Sequence, residues 1–253
     1  MSANTGGPRQ NPGVFGIDDR FCFDCHRGLS CFGQCCRDIN IFLTPYDVIR
    51  LKKRMGISST EFLRDYTEEL NLPGMAFPVI FLKMKEDDLK CPFVTEKGCS
   101  VYEERPWSCR MAPVDMAGPG TYRMAFDGEK CLGLNGGKEW TVREWMGAQD
   151  MEIYERVESG FKDIPARVRL SGRESRDKKI AGIFKIVCYD IDAFREFARK
   201  NVPLMGQGGI GRAMLKRALE DDVRLLDAAI GWFINVVGRE GLLIRAENLL
   251  RRA

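Results

Sequence analysis

Nine cysteines in the first 131 residues are the side chains with the clearest capacity for chemistry. They are Cys22, Cys25, Cys31, Cys35, Cys36, Cys91, Cys99, Cys109 and Cys131, whereas the tenth, Cys188, stands apart. Thiolate sulfur is a soft ligand that suits zinc and iron–sulfur clusters. Short intervals between cysteines also let several sulfurs reach one ion at little cost in loop closure. The pattern therefore predicts metal ligation, and all nine residues are candidate ligands.

The first five cysteines lie within 15 residues of each other. A CxxC pair at residues 22–25 is followed by a second group that ends in Cys35 and Cys36, with Gly33 available for a tight turn around an ion. Adjacent cysteines point in different directions on a regular backbone. Cys35 and Cys36 are therefore expected either to bridge two metals or to serve one metal and one neighbouring contact.

Cys91, Cys99 and Cys109 lie in one segment, CPFVTEKGCSVYEERPWSCR, which we expect to be a continuous loop around a site. In this segment Pro92 follows Cys91 directly, as proline follows cluster ligands in ferredoxins, where it fixes the turn. Nine thiols exceed the four that close a tetrahedral zinc site. The surplus favours either a cluster with extra ligands or two metal centres.

Four segments carry a resemblance to a known family: CFGQCCR, CPF, GCSVYEERPWSCR and KCLGL. They resemble the YkgJ-type cysteine-cluster family, which is described as zinc- or iron-chelating and is similar to the cysteine-rich part of flagellin lysine-N-methylases. The resemblance covers residues 21–135. The common first motif of the family is CxxCxxCC, whereas here the spacing is wider between Cys25 and Cys36. The resemblance implies a bound metal more firmly than it implies any reaction.

Iron–sulfur and zinc are the two metal centres that the sequence favours, in that order. Zinc sites often mix histidine with cysteine, but His26 is the single histidine, so the ligand set is expected to be all thiolate. Arg37 and Arg110 each directly follow a candidate ligand and would offset the negative charge of a thiolate-rich centre. We therefore expect an iron–sulfur protein with a redox or electron-transfer role and an unidentified protein or redox partner.

Two other functions remain open at this stage. The shared cysteine motif suggests a protein-modifying enzyme of the lysine-N-methylase type, although we recognise no S-adenosylmethionine site and assign no catalytic residue. The third hypothesis is a structural zinc module that acts as an adaptor. Because the chain has one histidine, most Ser-His-Asp or Cys-His hydrolases are disfavoured.

Composition narrows the class of protein further. Apolar residues make up 44% and charged residues 30%, which is ordinary globular usage, and the net charge of +3 does not indicate nucleic acid as a partner. No apolar run approaches the roughly 20 residues of a spanning helix, and the N-terminus has no signal-peptide pattern. We expect a cytoplasmic protein without membrane insertion, whose reducing surroundings favour metal ligation over disulfides.

The elements that position the cysteines are predicted to form an α+β fold: a loop-rich, metal-organised cysteine domain followed by a mostly helical region. We expect a flexible arm at residues 1–20, the cysteine domain at 21–138 and the helical region at 139–253. Within the cysteine domain the pattern predicts helices at Asp47–Met55 and from the Ser58 capping box to Leu70, and strands at Phe77–Met84 and Tyr122–Phe126.

Helical spacing dominates the last hundred residues. The pattern predicts the following elements: a helix at Val142–Glu158 that a capping box at Thr141 opens, a basic linker at Arg167–Lys179, a strand at Ile183–Tyr189, a helix that the capping residue Asp190 opens and that runs to Lys200, a long amphipathic helix from Arg212 to Val237 and a final helix at Leu242–Arg252. Cys188 is expected in the apolar core. The sequence from Gly206 to Gly211 formally matches a dinucleotide fingerprint, but we interpret it as a helix-entry loop because a helix precedes it.

Overall fold

The computed structural model describes residues 13–71, 75–170 and 172–250, and the chain divides into two compact units. Met1–Ile41 and Met84–Ile153 form the first, which we call the cysteine unit because nine cysteines lie in it. Phe42–Lys83 and Tyr154–Ala253 form the second, which we call the helical unit. Helices and small antiparallel sheets together confirm the predicted α+β class.

The strands of the described residues are short and pair in twos. They are β1 (Arg20–Cys22), β2 (Thr67–Leu70), β3 (Val79–Leu82), β4 (Val94–Thr95), β5 (Gly98–Cys99), β6 (Val114–Gly118), β7 (Thr121–Met124) and β8 (Glu139–Thr141). All four pairs are antiparallel: β1 with β8, β2 with β3, β4 with β5, and β6 with β7. The predicted strands at Phe77–Met84 and Tyr122–Phe126 are thus confirmed as β3 and β7.

The α-helices of the described residues are α1 (Pro45–Met55), α2 (Ser59–Tyr66), α3 (Trp107–Met111), α4 (Val142–Ala148), α5 (Glu152–Val157), α6 (Ser159–Arg167), α7 (Glu174–Cys188), α8 (Ile191–Lys200), α9 (Val202–Gln207), α10 (Arg212–Ala218), α11 (Asp222–Val237) and α12 (Glu240–Leu250). The capping boxes predicted at Ser58 and Thr141 are confirmed. Across these described ranges, no helix is both long and apolar enough to cross a membrane.

A small apolar core stabilises the cysteine unit. Its buried members are Phe15, Phe21, Met111, Val114, Tyr122, Val142, Trp145 and Met151. Residues from β1, α3, β6, β7 and α4 contribute to it, and the Trp145 indole donates to the Met111 carbonyl oxygen at 2.9 Å. The cysteine-bearing loops therefore project from a scaffold that has its own apolar packing.

The helical unit has a larger aromatic core. Helix α11 packs against α6, α7, α8 and α10, and its Trp232 ring packs on Phe194 and Phe197 of α8. Gly208 lies against Trp232 so closely that an added Cβ would be 2.1 Å from the ring. The glycines after α9 thus serve packing, which supports the helix-entry interpretation of residues 206–211.

Buried ion pairs join three elements of the helical unit. The Lys52 ammonium group of α1 lies 3.0 Å from the Asp192 carboxylate of α8 and 2.9 Å from the Asp222 carboxylate of α11. Arg195 also pairs with both carboxylates. Residues 42–83 therefore pack with the C-terminal helices.

The strand predicted at Ile183–Tyr189 is wrong, because residues up to Cys188 belong to helix α7. The buried side chains Ile180, Ile183, Phe184 and Val187 recur at helical spacing. A short apolar run fits both periods, so the local pattern was ambiguous. The basic linker predicted at Arg167–Lys179 is also wrong in its second half, since α7 begins at Glu174.

Two predicted helices are interrupted and one is shorter than expected. The helix at Val142–Glu158 breaks at Asp150, whose φ of 54° is left-handed, and the long helix from Arg212 breaks where Asp221 caps α11. Helix α2 ends at Tyr66, and the chain continues as β2. In each case a cap or a change of backbone direction ends a helix that apolar spacing alone would extend.

The predicted arm at residues 1–20 is wrong at its C-terminal end, whereas residues 1–12 lie outside the described part of the chain. Phe15 is 4% exposed, and its backbone exchanges two hydrogen bonds of 2.9 Å with Tyr122.

The domain boundary expected near Lys138 also differs from the limits of the compact units. Strand β8 pairs with β1, and residues up to Ile153 stay in the cysteine unit.

Candidate metal centre

The segment from Cys22 to Asn40 carries five cysteines, and no residue in it is buried. All 19 positions are among the described residues. The segment is shaped by turns, of which the sharpest is at Gly33, where φ is 79°. This left-handed residue starts the 3-10 turn Gln34–Cys36, as the sequence predicted for a tight turn between cysteines.

Four thiols form what we call the first thiol group: Cys25, Cys31, Cys35 and Cys131. Partial desolvation of the sulfur, the other thiols of the group and the Asp24 carboxylate raise the pKa of Cys25 to about 11. Burial and two thiols of the group likewise raise the pKa of Cys131. The Asp24 amide donates to the Gly133 carbonyl oxygen at 3.0 Å, which ties the two cysteine-bearing loops together.

Four others form the second thiol group: Cys36, Cys91, Cys99 and Cys109. The Cys91 amide donates to the Cys36 carbonyl oxygen at 2.8 Å, which joins two segments far apart in sequence. Cys99 lies in β5 opposite Val94 of β4, and the Val94 amide donates to the Cys91 carbonyl oxygen at 3.1 Å. Burial and then the Cys99 thiol raise the pKa of Cys91. Helix α3 carries Cys109.

The two groups meet at the Cys35–Cys36 dipeptide. A hydrogen bond from the Cys36 thiol lowers the pKa of Cys35 to about 7. That bond, then burial, then the thiols of Cys109 and Cys91 raise the pKa of Cys36. Cys35 thus interacts electrostatically with thiols of the first group, and Cys36 interacts with thiols of the second. The two side chains also contact each other.

Backbone N–H groups surround several of the sulfurs. The donors are Phe93 and Val94 at Cys91, Val101 at Cys99, and Gly133 and Leu134 at Cys131. Each donor lies two or three residues after its cysteine and lowers the pKa of that thiol, in opposition to burial. Amide hydrogen bonds to sulfur stabilise the thiolate, which is the form that ligates metals.

Arg37 and Arg110, the two cations expected to offset the negative charge of the thiolates, both donate to backbone carbonyl oxygens. Arg110 is 4% exposed and donates to the carbonyl oxygens of Glu103, Arg105 and Gln149, so it holds the loop backbone. Arg37 donates to a backbone carbonyl oxygen at 2.7 Å.

Two cations act on the second thiol group itself. Lys85 is among the groups that lower the pKa of Cys91, and Arg105 does so for Cys99. Sequence reasoning missed Lys85, because a turn brings it near: its amide donates to the Lys90 carbonyl oxygen at 2.9 Å.

The remaining candidates have more local surroundings. Cys22 lies in β1, opposite Glu139 of β8. The His26 ring accepts from the Gly28 amide at 3.1 Å, so this ring nitrogen is bonded within its own loop. Cys188 is 1% exposed in the helical unit, and its burial confirms the predicted place in the core.

The cysteine sulfurs are suited as ligands to a soft metal, but in the structure they do not lie around one point. None of the ten cysteines, all of which lie among the described residues, forms a disulfide. Within residues 13–71, 75–170 and 172–250, no three His, Cys, Asp or Glu side chains are arranged closely enough to hold a metal ion. Coordination would therefore require the thiols of a group to lose protons and move together on binding.

Comparison with known proteins bears on the same residues. Residues 24–135 match the CxxCxxCC family, described as a "putative zinc- or iron-chelating domain". No curated protein and no solved structure matches the chain. The match confirms the expected similarity to a zinc- or iron-chelating CxxCxxCC domain, and it supports metal binding by the cysteine-rich residues without deciding between the two metals.

Proposed function

We propose that the protein binds an iron–sulfur centre through the cysteine thiolates of residues 24–135, which match the CxxCxxCC family, and that it uses this centre in electron transfer. The partner would be a protein that donates or accepts single electrons. Zinc is the alternative metal, and it would make the same domain a structural module.

The observation that carries metal binding is the absence of buried residues from Cys22 to Asn40, all of which are described. A segment of this length gains little from apolar burial when its side chains are exposed or, like Phe23 against the apolar core, only partly buried. Five of its residues are cysteines, and metal binding supplies folding free energy in domains that lack an apolar core.

The surroundings of the sulfurs support a redox centre. Hydrogen bonds to ligand sulfurs and nearby positive charge are the means by which proteins tune the potential of iron–sulfur clusters. Amide donors lie at Cys91, Cys99 and Cys131, and the cations Lys85 and Arg105 act on the second thiol group. A structural zinc site has no potential to tune, so these features favour iron.

In this proposal the chain itself would bind the metal centre, shield it and tune its reduction potential. The thiols release their protons, the amide groups after each cysteine keep donating to sulfur, and the apolar core of the cysteine unit holds the loops in place. When bound, an iron–sulfur cluster supplies one-electron transfer. A reducing, cytoplasmic location belongs to this proposal, because thiols must stay reduced to ligate metal.

The test is purification of the full chain without oxygen, followed by its visible spectrum and its iron, sulfide and zinc content. Roughly equal iron and sulfide, with absorption that bleaches on reduction, is the expected result. A colourless protein with stoichiometric zinc would contradict the redox role and leave a structural zinc module. A protein that binds neither metal would contradict the whole proposal.

A further inference from the structure

We propose that the domain holds two separate metal centres, one on the first thiol group and one on the second, which meet at the Cys35–Cys36 dipeptide. This inference rests on the proposed function, since it assumes that the thiols bind metal. It assigns Cys25, Cys31, Cys35 and Cys131 to one centre and Cys36, Cys91, Cys99 and Cys109 to the other. Cys22 belongs to neither.

Backbone contacts assemble each group independently. The hydrogen bond from Asp24 to Gly133 links the loop before Cys25 to the loop after Cys131. The hydrogen bond from Cys91 to Cys36 and the pairing of β4 with β5 link Cys36, Cys91 and Cys99 of the second group. These two sets of backbone contacts share no residue, which supports two separate groups.

The number of thiols in each group fits a complete ligand set. Four thiolates close a tetrahedral zinc site, and four also hold one iron–sulfur cluster. One centre would leave half of the eight thiols without a metal. Two centres use all eight thiols. They also explain how two adjacent cysteines in one 3-10 turn can both be ligands, one for each centre.

The family match supports the exclusion of Cys22. Residues 24–135 contain the eight cysteines of the two groups, whereas Cys22 precedes the matched residues. In the structure its strand pairs with β8, next to the apolar core. Cys22 therefore provides a matched control, because it is a cysteine of the same unit with no assigned ligand role.

The experiment compares double variants that each remove two cysteines from the full chain, with metal content measured after anaerobic purification. Cys25→Ala with Cys131→Ala affects the first group, and Cys99→Ala with Cys109→Ala affects the second. Each pair is expected to retain about half of the wild-type metal. The cross-group pair Cys131→Ala with Cys99→Ala is expected to retain almost none, and Cys22→Ala to retain all.

A cross-group pair that keeps half of the metal, or a within-group pair that loses all of it while the helical unit stays folded, would overturn the two-centre inference. A wild-type chain without metal would instead overturn the proposed function. As a second measurement that needs no variant, the metal-free wild-type chain is titrated with Co²⁺ under reducing conditions. Saturation is expected at two Co²⁺ per chain with sulfur-to-cobalt absorption, and saturation at one would contradict two centres.

Discussion

Trp232, at the centre of the helical unit, is 1% exposed, whereas no side chain between Cys22 and Asn40 is buried. The first region is stabilised by apolar surface removed from water, at about 1.5 to 3 kcal/mol for each large side chain. The second has only partly buried side chains, such as Phe23, and gains less from this contribution. The difference teaches that packing accounts for the helical unit, whereas the cysteine-rich segment needs a second source of stability, for which we propose metal ligation.

Metal removal should separate the two regions with the largest effect. Chelation under reducing conditions is expected to expose residues 22–40 to protease, because a structural metal contributes on the order of 10 kcal/mol to folding. The helical unit should stay resistant, since its core contains no assigned ligand. Limited proteolysis with mass mapping of the fragments measures both responses in one sample.

Restoring the metal is the control for that experiment, and it should restore protection of residues 22–40. Equal protease resistance before and after complete metal removal would show that the two regions share one source of stability.

The converse test removes packing and leaves the thiols intact. Trp232→Ala is expected to destabilise the helical unit by about 3 to 5 kcal/mol, because a large buried ring is replaced by a cavity. Metal content should not change. Denaturant unfolding followed by far-UV circular dichroism gives the stability, and elemental analysis gives the metal.

Ile244→Ala is the matched control, since Ile244 is an exposed apolar residue of α12 in the same unit. Its effect is expected to stay within about 0.5 kcal/mol. If Trp232→Ala also lost the metal, the independence of the two regions would be wrong.

A pH response is expected from the helical unit. Burial and the neighbouring Asp47 raise the pKa of Glu158 to about 7. Because the pKa of Glu158 in the folded protein lies above that of the carboxyl in the unfolded chain, protonation of Glu158 stabilises the folded state. This contribution to the free energy of unfolding is full below about pH 4 and is lost as pH rises through 7. The loss is on the order of 3 kcal/mol.

Glu158→Gln should therefore remove this dependence and make the variant the more stable protein at pH 8. The Gln side chain keeps an oxygen that can accept from the Tyr46 amide, as Glu158 does. Circular dichroism unfolding of both proteins at pH 5 and pH 8 is the measurement. Parallel pH profiles would contradict the role of Glu158.

The smallest effect is expected at the cysteine of the helical unit. Cys188→Ala should leave metal content unchanged and cost about 1 kcal/mol of stability, since the thiol is buried in an apolar core. Loss of metal in this variant would mean that the helical unit takes part in ligation.

Local signals predicted much of the fold. The capping residues Ser58 and Thr141 and the cap at Asp190 marked helix starts correctly, because a cap depends on neighbours within one turn. The run from Ile183 to Tyr189 was misassigned, because its burial pattern is decided by the helices packed around α7.

The candidate site was predictable in composition but not in arrangement. Residue type and spacing predicted the cysteines as ligands, and adjacent Cys35 and Cys36 suggested either two bridged metals or one metal with one neighbouring contact. The contact of Cys91 with Cys36 and the position of Lys85 depend on how distant segments fold together. Spacing along the chain does not contain that information.

X-ray absorption at the edge of the bound metal, on the full chain purified without oxygen, tests the central claim most directly. Thiolate ligation by the cysteine unit predicts a first shell made of sulfur, at about 2.3 Å from the metal if zinc is bound. Cys188→Ala should leave that shell unchanged. A first shell dominated by nitrogen or oxygen would contradict the account, because the metal would then be held by groups other than the cysteines.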